Sequence, residues 1–190
     1  FVFVNTKLNT DKIDGITFDN YGGMYAMTMH LVSKGHRRIA FVTGPKEAHD
    51  SAERLRGHKA ALKDTGLPYD QELIIPGLYT QKSGYDSVAS ILALEERPTA
   101  IMASNDDAAT GVMSALREAG LSVPSEMAVT GFDDVPSARY STPSLSSVHV
   151  PIRHFGMSAI RLLISRIRGV PHEIQDRILP VELRIRESSS

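Results

Sequence analysis

The sequence predicts a two-lobed α/β protein whose parallel sheets are flanked by helices. Three observations carry this. Short apolar strand segments alternate with helical periodicity from Phe1 to Thr130. Those strands are apolar at nearly every position, as expected when both faces of a parallel sheet are covered. The alternation breaks after Asp134, yet a further strand, a long helix and a last strand follow. Such a late return implies that the chain crosses between lobes more than once.

Phe1–Val4 opens the chain as a strand, and the turn residues Asn9, Thr10 and Asp11 lead to a second at Ile16–Phe18. Gly22–Ser33 reads as a helix, with Met24, Met27, His30 and Leu31 at helical spacing and Gly35 past its end. Ile39–Val42 is a strand closed by Gly44-Pro45. A helix at Ala52–Lys63 ends near Gly66, and a strand at Leu73–Ile75 stops at Pro76-Gly77. Ser83–Glu95 reads as a helix with Tyr85, Val88, Ile91 and Leu92 on one face. Strand Ala100–Ala103, helix Ala108–Ala119 and strand Met127–Thr130 follow. A Pro- and Ser-bearing loop (Val135–Ser144) precedes strand Ser147–Val150, helix Ile152–Arg168 and a final strand Leu179–Ile185, with Ser188–Ser190 expected to fray.

At 190 residues, 42% hydrophobic and 23% charged, the chain is long enough to bury a sizeable core. A formal net charge of -1 gives no electrostatic footprint for nucleic acid or an anionic membrane. The basic run Lys34–Arg38 sits at a helix end, where it complements the helix dipole. The absence of cysteine excludes disulfides, thiolate metal sites and cysteine nucleophiles. No apolar run is long enough to cross a bilayer. The chain begins inside an apolar strand without an initiator methionine, so more sequence is expected upstream.

Polar groups stand where strands stop, which is where open α/β sheets place ligands. Asn105 and Asp106 follow strand AIMAS and serve either as helix caps or as hydrogen-bonding groups toward a ligand. Asp133 and Asp134 are adjacent acids at a strand end with no neighbouring Lys or Arg. One of them would accept sugar hydroxyls, or the pair would hold Mg²⁺. Arg54, on the first turn of its helix, lies at the cleft mouth with a planar fork suited to bidentate contacts. Tyr79 is placed either to stack on a ligand or simply to pack. His149 and His154 lack metal-ligand spacing, and no phosphate-binding loop or nucleophile elbow occurs.

With these residues in view, the chain closely resembles the LacI/GalR family of bacterial transcription regulators. The matching stretches are HLVSKGHRRIAFVTGP (His30–Pro45), RLRGHKAAL (Arg54–Leu62), RPTAIMASNDDAATGV (Arg97–Val112), ALREAGLSVPSEMAVTGFDD (Ala115–Asp134) and ELRIRESS (Glu182–Ser189). The resemblance implies a periplasmic-binding-protein-like (type I) fold with an incomplete N-terminal lobe. Its parts would be 1–18, a C-terminal lobe at 19–146, a return segment at 147–173 and a last strand and tail at 174–190. It implies a cytoplasmic, non-enzymatic regulator that binds a small-molecule effector, most readily a sugar, needs no cofactor, and forms a homodimer. Operator DNA would be bound by an upstream helix-turn-helix domain. By position, Arg54 and Asp133 match the family's effector-contacting arginine and acid. Asn105, Tyr79, Phe18, Asp50 and Asn5 match further cleft positions. Loss of Arg54 or Asp133 is expected to abolish the effector response with the fold intact. The alternatives are a periplasmic sugar-transport protein of the same fold and a Mg²⁺-dependent α/β enzyme or phosphoacceptor domain.

Overall fold

A computed structural model describes residues 1–6, 13–170, 173–174 and 176–190. The first strands, β1 (Val2–Val4) and β2 (Asp14–Phe18), precede helix α1 (Asn20–Ser33). Then come β3 (Ile39–Val42), α2 (His49–Asp64), β4 (Ile74–Ile75), α3 (Gln81–Leu92), β5 (Ala100–Ala103) and α4 (Asp106–Glu118). The chain ends with β6 (Ala128–Asp133), α5 (Pro136–Tyr140), β7 (Ser146–His149), α6 (Ile152–Ile167), β8 (Asp176–Leu179) and β9 (Glu182–Arg184). The expected turn at Asn9–Asp11 lies outside the described residues.

The strands form two sheets, of order β1-β2-β8 and β4-β3-β5-β6-β7-β9. Every pairing is parallel except β7 with β9. The apolar runs are explained by burial on both faces. Alternate residues of a strand point to opposite sides, so Val42, Ile101 and Val129 pack with Val88, Ile91, Val112 and Leu116 of α3 and α4. On the other face Ile39, Phe41, Ala100 and Met102 meet Met24, Met27 and Leu31 of α1. Each fully buried side chain of this size stabilises the fold by about 1.5–3 kcal/mol. The smaller sheet is covered by α6, where Phe155 stacks on Phe18 at 4.1 Å between ring centroids.

Several details differ from the sequence reading. The last strand is two: Pro180 has no N–H to continue the ladder. β8 therefore belongs to the smaller sheet, and β9 joins the larger one antiparallel to β7. Because β7 pairs with β6, the return to the smaller sheet begins after His149 rather than at 147, and it extends to Leu179. The tail does not fray: Ser188 and Ser189 are buried. The Ser188 hydroxyl donates to the Val129 carbonyl at 2.6 Å and accepts from the Ser146 amide at 2.8 Å. Residues 135–144 contain the short helix α5, entered through Pro136. Tyr85 turns outward and donates to Glu118 at 2.5 Å, because its hydroxyl needs a partner that the core does not offer.

Candidate functional site

A cavity of about 590 Å³ opens where the carboxyl ends of both sheets face each other. All seven residues singled out from the sequence line it: Asn5 after β1, Phe18 ending β2, Asp50 and Arg54 on α2, Tyr79 before α3, Asn105 before α4, and Asp133 ending β6. Asp134, Val135, Pro136, His149, Val150 and Ile152 complete the wall. A second cavity of about 590 Å³, between α4 and residues 120–123 and 141–143, has Arg117 as its one ionisable lining residue and takes nothing from the smaller sheet.

Arg54 organises the floor. It is only 3% exposed, since α2 begins at His49 and sets it in the second turn, against the sheet. Its guanidinium carbon lies 3.7 Å from the centroid of the Phe132 ring. Nε donates to the Asn20 carboxamide oxygen at 2.9 Å, and Nη1 donates to the Ser104 carbonyl. Nη2 stands 3.8 Å from both Asp50 and Asp133. Most of the fork is thus committed to protein groups rather than to the cavity. Asn20, which sequence reasoning missed, also donates to the Phe18 carbonyl at 3.2 Å. Its position just after the capping Asp19 concealed it as an ordinary helix-start residue.

Asp50 accepts from Asn5 Nδ2 at 3.0 Å and from the Tyr79 hydroxyl at 2.9 Å. It thereby joins the smaller sheet to α2 and to the loop before α3. Burial pushes the Tyr79 phenol up, so it stays a donor throughout the physiological range. Its ring rests over Gly44, where a Cβ would come within 2.2 Å of it. Asn105 takes the capping role: its oxygen caps α4 through the Ala108 amide at 3.0 Å, while its Nδ2 donates to the Tyr79 carbonyl at 3.0 Å.

The adjacent acids are divided by backbone geometry. Asp133 and Asp134 both have positive φ, 109° and 55°. Tyr79 and Asn5 share that feature, at 62° and 51°. All four non-glycine residues with positive φ among those described line this cavity, as expected where strain is retained for function. Asp134 is spent on the structure: Arg186 Nη2 donates to it at 2.5 Å and His149 Nδ1 lies 2.9 Å away. The sequence reading found no neutralising cation near this pair; Arg186 supplies one from 52 residues away. Asp133 keeps a side chain 39% exposed, and no donor among the described residues hydrogen-bonds to its carboxylate. Burial pushes it up to about 6, against the downward pull of Arg54. Beneath it, buried Asp106 accepts from Ser147 at 2.6 Å and from the Val135 amide at 2.8 Å, and burial pushes it up to about 7.

Among the described residues no cluster of three or more His, Cys, Asp or Glu is arranged to hold a metal ion. Asp134 has its oxygens occupied by Arg186 and His149, so it does not pair with Asp133 around Mg²⁺. No described helix is long and apolar enough to cross a membrane. What the site offers is one open acceptor beside an apolar wall of Phe18, Val150 and Ile152.

Residues 28–189 match the family described as the periplasmic binding protein-like domain. The chain is 37% identical over 158 residues to the HTH-type transcriptional repressor PurR of Actinobacillus pleuropneumoniae, covering 83% of this chain and 47% of that protein. It superposes on a transcriptional regulator CelR–cellobiose complex with a TM-score of 0.94 and 33% identity, over 98% of this chain and 58% of that one. A LacI family regulator from Enterococcus faecium with bound ribose gives a TM-score of 0.92 and 30% identity, over 100% and 70% of the two chains. The chain spans about half the length of the curated relatives it matches.

Proposed function

Because this chain belongs to the LacI/GalR family of transcriptional regulators, through a periplasmic binding protein-like domain over most of its length, we propose that its cavity binds a small-molecule effector. The observation that carries this is convergence. Residues distant in sequence, from both sheets and from the starts of α2, α4, α5 and α6, meet around one strained, polar-floored cavity. Asp133 is the principal acceptor for effector hydroxyls, and Phe18, Val150 and Ile152 cover the ligand's apolar face. Asn5, Asp50, Tyr79 and Asn105 form a hydrogen-bonded set around Arg54 that frames the ligand.

The effector class is a sugar. Two similar regulators were solved with cellobiose and with ribose, and the cavity's mixture of acceptor and apolar wall suits a polyol. Asn5 and Phe18 come from the smaller sheet, whereas Asp50, Arg54 and Asp133 come with the larger one. A ligand touching both sets favours one relative placement of the lobes. In the whole protein this bias would alter operator affinity through an upstream helix-turn-helix domain in a homodimer, with coupling of about 1–3 kcal/mol. The role is regulatory rather than catalytic, in the cytoplasm.

The test is a thermal-shift and calorimetric screen of the chain against neutral mono- and disaccharides, with Asp133→Ala in parallel. A sugar at one hundred times its dissociation constant adds about 2.7 kcal/mol of stability. Loss of that gain in the variant supports the assignment, and an unchanged gain refutes it.

A further inference from the structure

Resting on the effector reading above, we infer that this cavity discriminates by charge: it admits uncharged hydroxyl-rich ligands and rejects their phosphorylated or carboxylate counterparts. The lining holds three carboxylates, Asp50, Asp133 and Asp134, and one guanidinium, Arg54. Asp134 is balanced by Arg186 from behind and paired with His149, whose imidazole also lines the cavity. Asp50 and Asp133 remain to share Arg54, each at 3.8 Å.

That arginine is the group an anion would seek, and most of its fork is already committed. Nε and Nη1 are bonded to Asn20 and Ser104, Phe132 covers one face, and Nη2 lies between the two acids. An incoming phosphate would have to break those contacts or reach Nη2 beside two carboxylates at low dielectric, where like charges repel far more strongly than in water. The positive poles of two neighbouring helices are also engaged. The Asp50 side chain accepts from the Ser51 amide at 2.9 Å at the start of α2, and Asn105 caps α4. The starts of α5 and α6, beside Pro136 and Ile152, carry no capping side chain. By contrast, the open carboxylate of Asp133 can only accept hydrogen bonds once ionised, so a hydroxyl or N–H is its matching partner.

The experiment uses backbone-amide NMR of the chain at pH 8, reading the amides of Asn105, Asp133, Val150 and Ile152. Inorganic sulfate and inorganic phosphate are the anionic probes. Glucose, ribose and cellobiose are the neutral ones, and glucose 6-phosphate, ribose 5-phosphate and cellobionate are their charged counterparts. Neither inorganic anion should produce saturable shifts at these amides. A neutral sugar that binds should do so at least tenfold more tightly than its charged counterpart. Asp50→Asn/Asp133→Asn, and the milder Asp133→Asn alone, should gain saturable sulfate shifts at the same amides.

Saturable sulfate or phosphate binding there in the unsubstituted chain would overturn the charge rule, whatever the effector is. So would a charged sugar that binds as tightly as its neutral partner, or a double variant that folds yet still excludes sulfate. Neutral sugars that leave the amides unmoved would count against the sugar-effector reading alone, because the sulfate arm stands without them.

Discussion

Replacing Arg54 with methionine keeps its bulk and removes its charge, and the structure gives the consequence a magnitude. The substitution deletes the bonds to Asn20 and Ser104 and leaves Asp50 and Asp133 without their shared cation. Breaking a buried ion pair by removing one partner costs about 3–5 kcal/mol. Stacking on Phe132 contributes to the same loss and is not additive with it. At about 2–4 °C per kcal/mol for a chain of this size, Tm should fall by about 10 °C. The sequence reading expects loss of Arg54 to leave the fold intact; its burial adds the expectation that the fold is less stable. The deficit should also depend on pH. Asp133 already stands at about 6 because of burial, and Arg54 is what holds it down. Without Arg54 the acid takes up a proton more readily and relieves the unpaired charge. Urea unfolding followed by circular dichroism at pH 8 and pH 5.5 measures both effects. The gap between variant and parent should be widest at pH 8 and narrow at pH 5.5. A gap below about 1 kcal/mol at pH 8, or one independent of pH, would refute the reasoning.

Further expectations concern the surroundings of this floor. Asp106 is pushed up to about 7, so the folded chain binds more protons than the unfolded one between the usual carboxylate range and pH 7. Its contribution to stability therefore falls as pH rises through that window, by up to about 1.4 kcal/mol per unit, and Asp106→Asn should remove this slope in pH-dependent urea titrations. Burial of His58 pushes it down to about 4, which acts in the opposite sense below pH 6.5, so the comparison is made between variant and parent at each pH. Gly131→Ala would place a Cβ 2.2 Å from Asp106 Oδ1 and should cost about 1–3 kcal/mol in the same assay. Arg186→Ala leaves Asp134 with His149 alone, and hydrogen exchange at Ser188 should accelerate as the tail loosens; unchanged exchange would show that the serine network holds the tail by itself. Gly44→Ala should displace the Tyr79 ring, seen as loss of a 3 °C or larger share of any sugar-induced Tm rise, about 1 kcal/mol.

Much of this architecture was legible in the residues. Apolar runs such as Ile39–Val42 and Ala100–Ala103 can be satisfied only by burial on both faces, so the alternation of strand and helix dictated a covered parallel sheet. The cleft positions were reached in two ways. Strand-end polar groups at Asn105 and Asp133 follow from topology, and Asn5, Phe18 and Asp50 came from the family resemblance. All seven face one cavity. Local signals failed where the deciding partner was remote. Nothing near Asp134 announces Arg186, and nothing near Ser188 announces the carbonyl of Val129 that buries it.

The sequence by itself thus determined the α/β class, the family and the chemical types at the strand ends, because these depend on periodicity and on local runs of residues. Only the tertiary structure decided which of two adjacent acids stays open, that Arg54 is a buried organiser, and that the last strand divides between two sheets. Those outcomes depend on burial and on ion pairs between segments as remote in the chain as Arg54 and Asp133, and Coulombic and packing energies are set by distance in space rather than along the chain.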